Sequence, residues 1–400
     1  MPWLYEIDGK RYKRSGLNEK EKIIDGISRC DLVVALYRFR VGSRMREQPI
    51  FYGTDFELFQ ARRLGKPVLL YVLGPCHSRR LRGLLEIYAH PLVMPDGISW
   101  CNSERELPTI LAYDISVYAK SFLLRSRIHE SKLKSEAVLD RGFLEKTHDT
   151  LAEMRRRQDY WSAVELASQI PPLPVDHLPT REKSTYANIM SLCANAWSNQ
   201  RNYDLAENYS RLAIRSYLEL GLTFEMFAEV QCLSGILNMG DRVSQAYEVN
   251  TYGRLAASAA RGEVFNSLSD TYYDSRASIL RKMGHWSRAQ FTLRKVFPPS
   301  GDASPYTYSK YATMLNSAGD RTLAERIVND VALPLAKQSG ESLGYVARDA
   351  AMIAITTGEF GRAVPLLLEA EEDCIKHGTL HTLAQVQRLL REVQSRNQAA

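Results

Sequence analysis

No apolar stretch in this chain approaches the ~18 residues that a membrane-spanning helix requires. The opening Met1-Pro2-Trp3-Leu4-Tyr5-Glu6 lacks a basic region followed by an apolar one, so no secretion signal is expected. Cysteine is scarce: six residues, at 30, 76, 101, 193, 232 and 374, without a CxxC pair. That pattern argues against structural zinc and any metal site, and it fits reduced thiols in a cytoplasm. No helix-turn-helix and no interleaved aromatic and basic motif is recognisable, so nucleic acid is not expected as a partner. Residues 145–400 contain nothing that looks catalytic, which confines any chemistry to the first part of the chain.

What is present is an ordinary globular composition, 45% apolar and 24% charged over 400 residues, enough for two or three domains. The net charge of +6 is unevenly placed. Residues 1–100 carry 17 Lys and Arg against 11 Asp and Glu, whereas the other 300 residues carry 35 of each. A positive field on the head suits an anionic ligand such as a nucleotide. A solvated basic surface that aids solubility accounts for the same excess.

The dominant pattern is Gly-x-aromatic-x-x-Ala, seen at Gly284-His285-Trp286-Ser287-Arg288-Ala289 and Gly358-Glu359-Phe360-Gly361-Arg362-Ala363, with a degenerate copy from Gly319 to Ala324. Tyr160/Ala163, Tyr203/Ala206 and Val243/Ala246 fall in phase. The alanines at 163, 206, 246, 289, 324 and 363 are spaced by 43, 40, 43, 35 and 39 residues. Twelve residues before five of them stand Ala194, Ser234, Ala277, Ala312 and Ala351, and seven after two of them stand Ala213 and Ala370. Small side chains at these offsets let two antiparallel helices approach closely, and the glycine sits where a left-handed turn must end the first. Pro171 to Pro174 and Pro298 to Gly301 fall between units, where prolines end helices. The last helix, Leu380 to Arg396, turns polar as a solvent-facing cap requires.

This pattern resembles the tetratricopeptide repeat (TPR), with second helices longer than the family's unit of about 34 residues. The resemblance covers roughly residues 145–400. It implies an all-α solenoid whose concave surface takes a protein or peptide partner, or assembles the protein with itself. Tyr272, Tyr273, Tyr306 and Tyr308 would line that surface or serve as packing between helices.

The head has two continuous apolar runs, Asp31 to Tyr37 and Pro67 to Leu73, which read as strands buried on both faces of a parallel sheet. Thr54 to Leu64 between them is helical in period and closed by Gly65, giving a right-handed βαβ unit. A helix from Glu19 to Ser28 precedes it. A helix near Arg79–Tyr88, a short strand at Gly97–Trp100 and a helix from Ser103 follow. Trp3 to Tyr12 reads as a small hairpin turning at Asp8-Gly9. The expected fold is therefore α/β with a small, mostly parallel sheet over 1–115, a helical connector over 116–145, and helical repeats over 146–400.

Ligands of open α/β sheets bind beyond the carboxyl ends of the strands. That edge collects Arg38-Phe39-Arg40-Val41-Gly42-Ser43, the helix start Tyr52-Gly53-Thr54-Asp55-Phe56-Glu57, and Gly74-Pro75-Cys76-His77. Glu57, near Arg38, Arg40, Arg44 and Arg46, would meet the anomeric carbon of a ribosyl group as nucleophile or as a stabiliser of positive charge. Thr54-Asp55-Phe56-Glu57 is also a capping box, in which Asp55 adds favourable charge at the helix start.

Cys30 to Ala35, Gly53 to Leu58 and Ala61 to Val68 resemble the nucleoside deoxyribosyltransferase family and the related TIR-like domains, over about residues 22–73. The resemblance implies a flavodoxin-like fold and cleavage of N-glycosidic bonds in nucleosides or NAD, with Glu57 as the catalytic glutamate. Arg38 and Arg40 would hold phosphates, Tyr37 or Phe39 would stack on the base, and Gly53, Thr54 and Asp55 would complete the nucleotide site. NAD or a nucleoside would be substrate rather than a resident cofactor. Fusions of this kind act in bacterial defence or signalling. The alternative is a non-catalytic adaptor with a degenerate head, because the family's first strand would precede residue 20 and Tyr52 stands where the transferases carry Asp.

Overall fold

Both apolar runs form strands in the computed structural model, which describes residues 19–30, 32–38, 53–74, 79–88, 90, 93, 98–101, 105–116, 141–170, 180–260, 262–293, 304–317 and 319–399. β1 (Val33–Arg38), β2 (Val68–Leu73) and β3 (Ile98–Cys101) are parallel in the order β1-β2-β3, with Val33 opposite Val68 and Leu73 opposite Cys101. Around them lie α1 (Glu19–Ser28), the crossover helix α2 (Gly53–Arg63), α3 (Arg79–Tyr88) and α4 (107–116). Strand side chains alternate between faces. Ala35, Tyr37, Val68, Leu70 and Val72 enter the main core. Leu69, Tyr71, Leu73 and Cys101 form a smaller cluster with Leu107, Ile110 and Leu111 of α4, where Tyr71 Oη and Ser99 Oγ both donate to Asp114 (2.8 and 2.9 Å). The hairpin expected at Trp3–Tyr12 and most of the 116–145 connector lie outside the described residues.

The body is a succession of helices joined by tight turns. They are α5 (Arg141–Arg156), α6 (Tyr160–Ala167), α7 (Thr180–Asn199), α8 (Tyr203–Leu220), α9 (Thr223–Met239), α10 (Val243–Ala257), α11 (Glu263–Lys282), α12 (Trp286–Leu293) and α13 (Pro305–Ser317). Next come α14 (Arg321–Ile327) and α15 (Leu333–Ser339), joined through a π-helical turn at Val328–Ala332, then α16 (Leu343–Thr357), α17 (Phe360–His377) and α18 (Leu380–Ala399). Pro334, which has no N–H for the carbonyl four residues back, accounts for the widened turn before it. No described helix is long and apolar enough to cross a membrane.

The repeat is visible in the backbone itself. The residue two positions before each unit's second helix has a positive φ in all six units: Gln158 (57°), Arg201 (63°), Asp241 (60°), Gly284 (77°), Gly319 (92°) and Gly358 (83°). Three units thus keep the left-handed turn without glycine. The marker alanines 163, 206, 246, 289, 324 and 363 are all buried, as are Ala194, Ser234, Ala277, Ala312, Ala351, Ala213 and Ala370. Close helix approach, rather than large side chains, fills these positions.

From the second unit on, the first helices of successive units and α18 are linked in a circuit. Ser191 donates to Glu229 (α7 to α9) and Gln231 to Ser275 (α9 to α11). Lys310 pairs with Asp274 (α13 to α11), Ser309 donates to Asp349 (α13 to α16), and Arg348 donates to Gln385 (α16 to α18). The circuit returns through Tyr345 to Asn199 of α7 and through His381 of α18 to Tyr203 of α8. The second helices α8 and α10 carry the head, so they form the outer layer.

A left-handed backbone costs a non-glycine residue roughly 1–2 kcal/mol. Gln158→Gly is therefore expected to raise stability by about 1 kcal/mol, and Gly358→Ala to lower it by about the same. Urea unfolding midpoints at constant slope provide the measurement.

Candidate functional site

Glu57 lies in the first turn and a half of α2, at the edge where β1 ends, and its side chain is partly exposed. Its charge reaches the hydroxyl of Tyr37, next to last in β1. Tyr37 and Asp55 are both 1% exposed. The Tyr37 Oη has no hydrogen-bond partner among the described residues, and its pKa is pushed far up, first by burial and then by Asp55, Tyr88 and Glu57. The sequence placed Tyr37 against a base and Asp55 at a ligand. Here both point into protein. Only the backbones of Arg38, Gly53 and Thr54 are described, the last two as the first residues of α2. Phe39, Arg40, Arg44, Arg46 and the 75–78 loop lie outside the described residues.

What Asp55 meets is the array. Tyr252 of α10 donates its hydroxyl to Asp55 Oδ2 at 2.7 Å, completely buried. Tyr88 of α3 packs edge-on against Tyr252 (6.1 Å, 85°) and points its own hydroxyl at Met226 Sδ of α9. Burial raises the pKa of Tyr88 and Tyr252, and the Asp55 charge raises both further. Neither phenol ionises under such conditions, so Tyr252 remains a donor to the carboxylate. Asp55, in the first turn of α2, also faces the positive end of the helix.

The other end of α2 is held as well. Arg62 Nη2 reaches Glu219 Oε1 of α8 at 3.3 Å, and Lys183 and Arg215 complete the surroundings of that carboxylate at 3.0 Å each. Burial works against the Glu219 charge, but Arg215 and Lys183 outweigh it and leave the pKa lowered. The helix bearing Glu57 is therefore clamped to the array at both termini.

The neighbouring helix α3 lies directly on α10. A Cβ at Gly83 would fall 2.0 Å from the Glu248 carbonyl oxygen, so the two backbones touch. Flanking polar contacts fix the register: Arg82 to Glu248 (2.9 Å), Arg79 to Tyr247 (3.0 Å), Gln245 to Glu86 (3.1 Å), and buried Arg211 to the Glu86 carbonyl. Arg211 is itself neutralised by Glu207, which Arg242 also engages. These junction residues escaped the sequence reading. One signal was available: Gly83 interrupts an otherwise strongly amphipathic helix, and such a glycine marks a close approach.

His90, just beyond α3, has its pKa lowered to about 4 by burial and by Arg211 and Arg242, against the pull of Glu207. An undocked His90 takes up a proton near the ordinary 6.5, a docked one only near 4. Junction stability from this group is complete above about 6.5 and is lost as pH falls toward 4. Proteolysis or hydrogen exchange of α3 across this window is expected to show loosening that His90→Gln removes. Tyr252→Phe takes a buried hydroxyl donor away from Asp55 and is expected to cost about 2 kcal/mol in urea unfolding. No protein-family model matches this chain, and no curated protein matches it either.

Proposed function

We propose that the protein is a TPR-like scaffold whose head acts on the N-glycosidic bond of a nucleotide or nucleoside such as NAD, with Glu57 as its catalytic carboxylate. The observation that carries this reading is the placement of Glu57: partly exposed, in the first turns of the crossover helix, beside the carboxyl end of β1. The neighbouring carboxylate, Asp55, is consumed by Tyr252, which leaves Glu57 as the acid of that turn with surface toward solvent. A carboxylate there attacks, or stabilises positive charge on, an anomeric carbon as the base departs. Water then completes hydrolysis, or a second base completes transfer. Arg38, which ends β1, and Phe39 and Arg40, next in the sequence, supply phosphate and base contacts in this reading.

The array supplies the partner-binding part of the proposal. Its inner helices present Asn199, Tyr306, Lys310, Tyr345 and Arg348, half-buried polar and aromatic groups suited to a polypeptide segment. Tyr272 differs from the others: it is fully buried and donates to the Phe227 carbonyl, a packing role. By resemblance to similar fusions, the protein works as an effector in bacterial defence or signalling, in the cytoplasm.

A second reading has its own support. Of two residues assigned to the nucleotide, Asp55 is spent on the head–array junction and Tyr37 is buried in the core, as in a non-catalytic adaptor whose head is a structural cap. Incubation of the whole protein with NAD and with nucleosides separates the two. The enzyme reading expects release of the free base by wild type and a loss of at least about 100-fold in Glu57→Gln, since the amide neither attacks nor carries charge. Equal rates in both, at the level of buffer, would leave the adaptor.

A further inference from the structure

Arginine gathers where the start of α3 meets α10, α11 and α12, and little acid accompanies it. Tyr247 of α10, 6% exposed, stands at the centre. The guanidinium carbon of Arg276 (α11) lies 3.2 Å from the centre of its ring, and that of Arg79 (α3) 5.3 Å. Arg79 Nη1 donates to the Tyr247 hydroxyl at 3.0 Å. Arg276 Nη1 donates to the Tyr247 carbonyl and to Thr251 Oγ1, at 3.0 and 2.6 Å. Two turns along α10, the Arg254 guanidinium lies 5.2 Å from the Tyr273 ring of α11 and reaches its hydroxyl at 3.4 Å. Arg288 of α12, exposed, is near enough for its charge to act on Arg276.

Carboxylates do not answer these charges. Glu248 is taken by Arg82 of α3 at 2.9 Å, and Asp274, beside Tyr273 in α11, is taken by Lys310. Arg79, Arg254, Arg276 and Arg288 make no ion pair with any described residue. Their contacts are to rings, hydroxyls and a carbonyl, which occupy donors without cancelling charge. Arg276 is 9% exposed. Burial above all lowers its pKa, and Arg254, Arg288 and Arg79 lower it further against the pull of Tyr247. A guanidinium held out of water among like charges costs stability until an anion joins it.

The anion that fits is a phosphate chain. Arginine offers a planar fork that pairs with two phosphate oxygens at once. A single carboxylate would leave most of the excess charge unmatched, whereas linked phosphates carry several charges close together. Tyr247 and Arg254 are about 10 Å apart along α10 by helical rise, a span that a short polyphosphate covers. The Tyr247 hydroxyl accepts from Arg79, and its own proton has no acceptor among the described residues. Arg79 opens α3, the helix after β2, toward the edge where ligands of such sheets gather.

We propose that Arg79, Arg254, Arg276 and Arg288, with the Tyr247 hydroxyl, form a binding site for a polyphosphate group, built jointly by α3 of the head and by α10, α11 and α12 of the array. The site is independent of whether Glu57 cleaves a glycosidic bond. Because Arg79 comes from the head and the other three arginines from the array, the bound anion ties the two together.

Calorimetric titration of the whole protein with inorganic tripolyphosphate in low-salt buffer tests this. Wild type is expected to bind with an affinity that falls as salt is added, and to melt at a higher temperature with the ligand present. The double change Arg254→Gln with Arg288→Gln is expected to weaken binding at least about 10-fold and to abolish the thermal gain. Arg38→Gln, at the end of β1, is expected to leave both intact. A parallel titration with ATP separates the sources of the group. Tighter binding than tripolyphosphate places a nucleoside on the site, equal or weaker binding leaves phosphate alone, and both agree with the proposal. No binding by wild type, equal binding by wild type and the double variant, or a loss confined to Arg38→Gln would each overturn it. Tight binding of a single-stranded oligonucleotide with none of tripolyphosphate would do the same. If the double variant fails to fold, Arg288→Gln alone, at an exposed side chain, is expected to lose at least about 3-fold in affinity, and an unchanged affinity there overturns the proposal.

Discussion

Direct backbone contact between α3 and α10, permitted by the missing side chain of Gly83, is the constraint on which the rest of the architecture depends. Once those two helices touch, the head's helices α2 and α3 lie between the sheet face that carries Ala35, Tyr37, Leu70 and Val72 and the outer helices of the array, and head and array share one core. The array covers the outer sides of α2 and α3. The head is consequently built onto the repeats instead of being tethered to them.

This arrangement changes the meaning of the acidic pair in α2. Two carboxylates two residues apart on a helix point in different directions, and the structure gives each a separate task. Asp55 faces inward and is bound by Tyr252, a buried charge whose desolvation is offset by a short hydrogen bond and the helix end. Glu57 keeps contact with solvent beside Tyr37. With Arg62 held by Glu219 at the far end, the whole helix is fixed by residues of the array. Residues of α8 and α10 thus hold the helix that bears Glu57 at both ends.

The same outer helix links the head to the circuit of inner helices. Tyr203 at the start of α8 meets His381, Glu207 one turn on joins Arg211 and Arg242, and Glu219 near its end holds Arg62. The Tyr203–His381 contact, the charged network and the crossover helix thus lie along a single rigid rod of five turns. Helices bend little over that length, so one stiff element carries all three sets of contacts.

Local chemistry was enough to read the repeats and most of the secondary structure from the chain. Helices at Glu19–Ser28 and Arg79–Tyr88, the βαβ unit, the buried small residues and the left-handed turns at Gly284, Gly319 and Gly358 all follow from periodicity and backbone preference, which act over a few residues. The turns at Gln158, Arg201 and Asp241 show that the alanine phase outlasts the glycine, since packing enforces the conformation once neighbouring units stack. What the sequence could not convey is which distant groups meet. Asp55 finds Tyr252, Arg62 finds Glu219, and Tyr203 finds His381, pairs separated by 197, 157 and 178 residues. Such pairings leave no periodic trace, because they arise where whole helices are laid against each other, and that is decided by the shape of the folded surfaces alone. The chain by itself determined a small parallel sheet followed by stacked helical hairpins; only tertiary packing decided that the head's helices α2 and α3 rest on the outer helices and that the end of the row of hairpins meets its beginning.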